Sequence, residues 1–402
     1  MFRSRTQNRE VITVSDYDSP IDPGLLMALV GIALFGVVLI TSSSMPFSEK
    51  LYGDPFYFAR RQIIVLAMGF VGAVLLFRVP LARWEQFGPA LVIISLFFLL
   101  LVLVPGIGRE VNGSRRWIDL GFITLQVSEA VKLCIIVYLS GYLVRRGELV
   151  QTTLGGFLNP LLLIMVASAL LLAEPDFGAA VVIVMTAMLM LFIAGVRLHQ
   201  FVALVSGLAL VGYLLIWTSE YRLQRFASFR NPWEDPFGSG FQLSQSLIAI
   251  GSGSWSGVGL GNSVQKLFYL PEAHTDFVYA IAAEELGLIG SALIIGLFVF
   301  IVWRCFQLAW RADALGMRFA GFVALGIGIW IGLQSFINIG VNMGVLPTKG
   351  ITLPMMSYGG SSALIFSFSF AILLRVDYEV RLRALETLKP SRSRDSGGQS
   401  GG

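Results

Sequence analysis

Of the 402 residues, 55% are hydrophobic and only 13% charged, and the mean hydropathy is +0.76. A chain this apolar is an integral membrane protein, which excludes a soluble globular domain, and a net charge of +4 gives no sign of a nucleic-acid partner. Cys134 and Cys305 lie in apolar runs, and two histidines, His199 and His274, are too few ligands for a zinc site.

Residues 1–20 are polar and lack a cleavable signal peptide, so they read as a cytoplasmic tail. Apolar windows of about 20 residues then mark ten spans, near 24–43, 58–78, 84–104, 127–144, 158–173, 179–196, 200–218, 277–303, 319–341 and 360–376. The expected fold is therefore all-α and polytopic, with about ten transmembrane helices in one domain over residues 21–385. Lys and Arg number 17 on the side of the two termini and 11 on the other, with Lys132 inside a span, which places both termini in the cytoplasm. The eleven outward basic residues, Lys50, Arg60 and Arg61 among them, are unexplained by topology and suit an anionic substrate outside. Between spans seven and eight, residues 219–276 form a large outer loop whose Trp, Phe, Gly and Pro content suggests an ordered, membrane-hugging segment. A flexible tail follows at 386–402, and no internal repeat is visible.

Several motifs could carry chemistry. In GSRRWIDLGFITLQVSEAVK (113–132), Gln126, Glu129 and Lys132 recur every third residue along one stripe. Either Glu129 and Lys132 satisfy each other among the helices, or Arg115, Arg116 and Lys132 offer positive charge to a diphosphate while Glu129 orients the lysine. EPDFG (174–178) reads as a turn and a helix start that Asp176 can cap; Glu174 and Asp176 share the arginines' side of the membrane and could steer them or hold a cation. Gly257, Gly259 and Gly261 could let backbone N–H groups approach an anion, with Gln265 and Lys266 following, although the strand and helix of a dinucleotide site are missing. PEAHTDF (271–277) places Thr275 or Asp276 to cap the eighth span, and a carboxylate where water meets hydrocarbon is costly enough to suggest function. His274 could tune or position it, and Glu284 and Glu285, deeper in the same span, read as buried pairing partners. Gln334, Asn338 and Asn342 step by four along the ninth span toward Lys349 and the SYGGSS segment that holds Ser357. They could bond between helices or line an outward cavity.

In this order over residues 20–385, GSRRWIDLG with Q-x-S-E-x-x-K, PDFG, EDPxGxGFQ, YLPEAHTDF with AEELG, and LPTKG with SYGGSS resemble the SEDS family of membrane peptidoglycan glycosyltransferases, the group of RodA and FtsW. EPDFG, YLPEAHTDF and LPTKG are more similar to the division branch, whereas Val127 stands where the family usually has proline. The resemblance implies polymerisation of lipid II at the outer face of the bacterial cytoplasmic (inner) membrane, at the division septum, with Asp276 as the essential carboxylate and general base. It implies that Arg115, Arg116, Lys132, Lys266 and Lys349 stabilise the leaving diphosphate, that Gln265, His274 and Ser357 bind substrate, and that Glu129, Glu174, Asp176, Gln334 and Asn338 support them. A divalent cation (Mg or Mn) fits the same chemistry, with no organic cofactor. Expected partners are a class B penicillin-binding transpeptidase of the FtsI type, division regulators of the FtsQ, FtsL, FtsB and FtsN types, and membrane lipids. Two rivals predict otherwise: a lipid II flippase needs a hydrophilic route through the whole membrane, and a non-catalytic division scaffold needs neither Asp276 nor basic outer loops.

Overall fold

A computed structural model describes residues 19–388 except 112–113, 120, 122–123, 219–222, 224–227 and 348–349. Ten helices coincide with the ten apolar windows: α1 Pro23–Tyr52, α2 Tyr57–Phe77, α3 Leu81–Leu103, α4 Val127–Thr152, α5 Leu154–Ala173, α6 Phe177–Ile193, α7 Leu198–Trp217, α9 Val278–Ala314, α10 Arg318–Asn342 and α11 Gly360–Leu388. An eleventh, α8 Phe241–Ser252, lies within the large loop. Seven of them (α1 to α5, α9 and α10) are long and apolar enough to cross a membrane; α6 and α7 are shorter apolar helices. Local chemistry sets the ends: Asp22 accepts from the Gly24 and Leu25 amides with Pro23 at the first helical position, and Gly53 at φ +66° closes α1.

The fold is helical as expected, with one small addition. Three short strands pair into an antiparallel sheet, β1 Gly108–Val111, β2 Ser114–Asp119 and β3 Thr124–Gln126, in the order β1-β2-β3. Trp117 faces Arg109 on one side and Gln126 on the other. Aromatic and β-branched residues around the turn favour this pairing over an interfacial helix. Gln126 thus ends β3 and precedes α4 as its N-cap, so it leaves the helical stripe that holds Glu129 and Lys132.

At the centre, α4 and α10 are the most deeply enclosed spans. Trp330 on α10 is fully buried and stacks on Phe366 of α11, ring centres 4.5 Å apart. By contrast, no described side chain of α7 is buried, and the helix leans on α6 through Phe201 and Phe192 near its start.

The eighth span is broken. Gly287 lies at φ +65°, ψ −160° inside α9. Hydrocarbon offers no partner to the backbone groups such a break frees, so the protein must supply them. The loop after α8 does so: the Val258 and Gly259 amides donate to the Glu284 and Glu285 carbonyls (both 3.0 Å), and the Leu288 and Ile289 amides to those of Ser254 and Trp255 (2.9 and 3.2 Å). The close approach requires glycine, since a Cβ on Gly257 would sit 2.1 Å from the Glu285 carbonyl oxygen. Side chains add a latch. Glu284 accepts from the Ser263 hydroxyl and the Val264 and Gln265 amides. Glu285 accepts from Ser42 of α1 (2.6 Å) and Lys266 (2.7 Å). The expected buried pairing of these glutamates is what the structure contains.

At the opposite rim a second polar network ties three helices. Asp22 at the head of α1 pairs with Arg304 of α9, and its amide donates to Asp377 of α11 (2.5 Å), which also binds Arg381 (3.0 Å). Nearby, Glu379 accepts from the Leu81 amide (3.0 Å), and Arg375 donates to the Phe77 carbonyl (3.2 Å).

Gly257→Ala should therefore destabilise the protein well beyond Gly261→Ala. Both glycines have positive φ (+79° and +87°), but only Gly257 has atoms within 4 Å of its would-be Cβ. The backbone term alone is about 1–2 kcal/mol, and the clash adds to it. Thermal unfolding of both variants in detergent checks this; equal losses would mean that the loop yields readily.

Candidate functional site

Asp276 sits on a tight turn, where the amides of Thr275, Asp276 and Phe277 all point at the Glu272 carbonyl (3.2, 3.1 and 3.2 Å). The following helix begins at Val278 with Phe277 as an N-cap that makes no side-chain bond. Neither Thr275 nor Asp276 caps it, contrary to the sequence-based expectation. Thr275 turns its hydroxyl back to Glu272 (2.7 Å), and a neighbouring helix supplies the cap: Asn342 Oδ1 accepts from the Ala280 amide (3.1 Å). The same Asn342 donates through Nδ2 to the Asp276 carbonyl (3.0 Å), as does Asn338 (2.9 Å). Two amides thus fix the backbone of Asp276 while its carboxylate remains half-buried beside exposed Gly350, where a Cβ would lie 3.1 Å from Oδ2.

One turn before Asn338, Gln334 continues the pattern. Its Nε2 donates to the Thr352 carbonyl (3.0 Å), and its Oε1 accepts from Lys132 (2.8 Å) and Trp330 (2.8 Å). Lys132 also binds Glu129 (2.7 Å) and lies 5.3 Å from the Trp330 ring centre. Asn338 further donates to the Ile351 carbonyl (2.6 Å). The Gln334, Asn338 and Asn342 stripe is therefore a set of hydrogen-bonding struts that carry segment 350–352, Lys132 and Asp276 together. An open polar wall is not what these side chains form.

A second cluster joins the sheet to the α5–α6 turn. Asp176 caps α6 through the Ala179 amide (3.1 Å) and accepts from Ser128 (3.0 Å) and Gln126 (3.3 Å). Arg116 donates to the carbonyls of Glu174 (3.2 Å) and Pro175, and its guanidinium lies 4.0 Å from Asp176. Ser361 at the start of α11 accepts from the Gln126 amide (2.7 Å) and donates to the Thr124 carbonyl (2.6 Å). The clusters meet where α6 packs on segment 350–352, since a Cβ on Gly178 would strike Ile351 at 2.9 Å.

The remaining expected site residues divide. Arg115 lies on β2 with an exposed side chain, paired with Glu110 (3.0 Å). Lys266 is buried and committed to Glu285 and Ser42, and the Gly257 and Gly259 amides are spent on backbone carbonyls, so the glycine loop presents no anion cradle there. Gln265 is buried, with its amide donating to Glu284. Ser357 accepts from the Leu353 amide (2.8 Å) and closes a turn. His274 is buried between Phe47 and Phe58, ring centres 5.0 and 5.1 Å away, and its carbonyl accepts from the Tyr358 amide (2.8 Å). Burial holds its imidazole below the usual histidine range, against an opposing pull from Glu272. Lys349 lies outside the described residues. Sequence reading overlooked Ser128, Ser361, Gly350 and the capping role of Asn342. Only Asn342 left a signal, through its spacing of four.

Glu174 is fully buried, and neither carboxyl oxygen accepts a hydrogen bond from a described residue. Desolvation, reinforced by Asp176 and opposed by Arg116, pushes its carboxyl up to about 8 from an ordinary 4.5. The folded state keeps this proton to a higher pH than the unfolded chain, so stability falls as pH rises from about 4.5 to about 8. Glu174→Gln removes that loss. Its melting temperature should exceed the wild type's by more at pH 8 than at pH 5; a pH-independent difference would contradict the shifted carboxyl.

A family model described as cell cycle protein, FtsW/RodA/SpoVE, matches residues 24–382. A Nitrosococcus halophilus protein named probable peptidoglycan glycosyltransferase FtsW is 53% identical over 359 residues, covering 89% of this chain and 92% of its own. Its namesake in Thioalkalivibrio sulfidiphilus is 50% identical over 359 residues, covering 89% and 90%. Among solved structures, a chain from a peptidoglycan synthase complex that coordinates polymerization and crosslinking superimposes with a TM-score of 0.74 at 28% identity, covering 90% of this chain and 98% of that one. The Thermus thermophilus rod shape determining protein RodA gives 0.65 at 28% identity, covering 89% and 96%. With nearly the whole membrane domain matched in sequence and in fold, the chain belongs to the FtsW/RodA/SpoVE family of cell cycle proteins.

Proposed function

We propose that this protein is a peptidoglycan glycosyltransferase that polymerises lipid II at the outer face of the cytoplasmic membrane, with Asp276 as general base. The observation that carries the assignment is the Asp276 carboxylate itself. It is half-buried beside a bare glycine, and its backbone is held by two amides of α10. In the reaction the acceptor sugar's 4-hydroxyl oxygen bonds to the anomeric carbon of the donor as its proton passes to Asp276. The bond from that carbon to the phosphate oxygen breaks, and the lipid diphosphate leaves with the electron pair. Developing charge on that oxygen calls for preorganised cations. Of the five expected to serve, Arg116 is anchored at the site face with its side chain 22% exposed, and Lys132 is enclosed with Glu129 below the Asp276 strut. Lys132 suits positioning better than direct contact, and Lys266 is withdrawn into the latch.

Among the described residues no three His, Cys, Asp or Glu side chains converge on a metal position. A divalent cation would enter with the substrate diphosphate. The likeness to a synthase complex with polymerising and crosslinking activities supports partnership with a penicillin-binding transpeptidase. The relatives' names favour the division branch, hence the septum and its regulators.

The deciding experiment follows labelled lipid II into glycan polymer with purified protein and its transpeptidase. Asp276→Asn should reduce polymer by roughly a hundredfold or more while melting temperature and partner binding stay at wild-type levels. Persistent polymerisation would sink the general-base role. No polymer from wild type with any partner, together with lipid II crossing liposomes, would favour a transporter instead. Gly350→Ala places a methyl against the carboxylate and should lower kcat by roughly tenfold without loss of stability; an unchanged kcat would mean that Asp276 has room to turn elsewhere.

A further inference from the structure

Most cations described on the site face are matched by a carboxylate: Arg60 by Asp54, Arg109 by Asp119, Arg115 by Glu110, Arg116 by Asp176, Lys132 by Glu129 and Lys266 by Glu285. Lys50 and Arg61, at the facing ends of α1 and α2, are exposed and have no described carboxylate within ion-pair distance. Both rest on aromatic rings. Lys50 Nζ is 4.3 Å from the Phe268 ring centre, and Arg61 lies 5.7 Å from that of Tyr57, with its Nη1 3.4 Å from the Tyr57 hydroxyl.

The two rings belong to one continuous floor. It runs from Phe268 through Phe47 (6.5 Å), His274 (5.0 Å) and Phe58 (5.1 Å) to Tyr57 (5.4 Å), whose outer neighbour Tyr52 stacks on it at 3.7 Å and 14°. Tyr358 packs edge-on to Phe58 (4.8 Å). Ser48 beside Phe47 and Gln62 one turn beyond Phe58 are fully buried, and their side-chain polar atoms make no hydrogen bond with a described residue. An interfacial belt of anchoring residues reaches outward singly into the headgroups. These rings instead pack on one another, stacked, tilted or edge-on, around a buried imidazole two positions before Asp276. A cation that rests on an aromatic face, with at most a neutral phenol hydroxyl beside it as at Arg61, exchanges those contacts readily for a charge-assisted hydrogen bond to an anionic oxygen.

We propose that Lys50 and Arg61, set on this aromatic floor, form a binding subsite for a lipid-linked sugar phosphate, the cations taking phosphate oxygens and the Tyr52–Tyr57 pair the apolar face of a sugar ring. The subsite rests on the glycosyltransferase reading and deepens it by adding two substrate-binding cations that lie outside the family motifs. His274 then links the bound headgroup to the Asp276 turn through its ring contacts and backbone.

The test uses the full chain in phosphatidylcholine nanodiscs and a fluorescent undecaprenyl-diphosphate-linked disaccharide pentapeptide. The Lys50→Gln/Arg61→Gln double variant should raise Kd and KM by roughly tenfold or more, with kcat and melting temperature close to wild type, and the Lys50→Gln/Arg61→Lys variant should recover part of the affinity. An unchanged Kd overturns the proposal. Discs containing phosphatidylglycerol separate the two sources of lipid phosphate. If the double variant loses phosphatidylglycerol association in native mass spectrometry yet binds the substrate normally, the cations are membrane anchors and the subsite is refuted. Asp276→Asn, run alongside, should bind as wild type does. If wild type binds the probe without polymerising it and the double variant does not bind, the subsite stands while the catalytic reading fails; if wild type does not bind at all, both fall.

Discussion

A transmembrane helix that breaks inside the apolar layer must find partners for its freed amides and carbonyls within the protein. That requirement organises the half of the molecule that carries the site. The interruption of α9 at Gly287 is closed by residues 254–259, and Glu284 and Glu285 fasten the next stretch of loop through Ser263, Lys266 and Ser42. The loop is thereby drawn against the helix, and its continuation, residues 268–277, returns to the head of α9 along a fixed path. Asp276 is placed by this path together with the two amides of α10.

The chemistry of the site follows from a division of labour among polar residues. Gln334, Asn338 and Asn342 spend their amides on backbone carbonyls and on Lys132, so they hold geometry. Arg116 straps the α5–α6 turn through main-chain oxygens. Buried pairs such as Glu129 with Lys132 contribute specificity of arrangement more than net stability, because removing two charges from water offsets most of their attraction. The Asp276 carboxylate, by contrast, is half-buried and reaches the surface beside Gly350.

Much of this was legible before any coordinates. Apolar windows located ten helices, seven of them long and apolar enough to cross a membrane, because hydrocarbon thickness imposes a length that composition reveals. The spacing of four in Gln334, Asn338 and Asn342 placed them on one face, and the motif order led to the family. Other features stayed hidden for physical reasons. A helix cap given by Asn342 to a helix sixty residues earlier leaves no local pattern, so Asp276 looked like the cap. Gly257 and Gly259 resemble an anion-binding run because glycine serves any close backbone approach, and the partner here is another stretch of main chain. Lys266 looked available because its partner, Glu285, lies nineteen residues further on, beyond the head of a helix. The strands of residues 108–126 were missed since short amphipathic segments at an interface suit either regular structure.

The ionic knot at the opposite rim has a mechanical consequence. Asp22, Arg304, Asp377 and Arg381 tie α1, α9 and α11 with charge-assisted contacts, and on the site side Glu285 ties α9 to α1 through Ser42 and to the loop through Lys266. The long helix α9 is thus tied to α1 at two levels, one on each side of the Gly287 break. A rod held at two points along its length cannot roll about its own axis without breaking charged contacts, so the turn that carries Asp276 keeps its register against α10 when a bulky lipid-borne headgroup arrives.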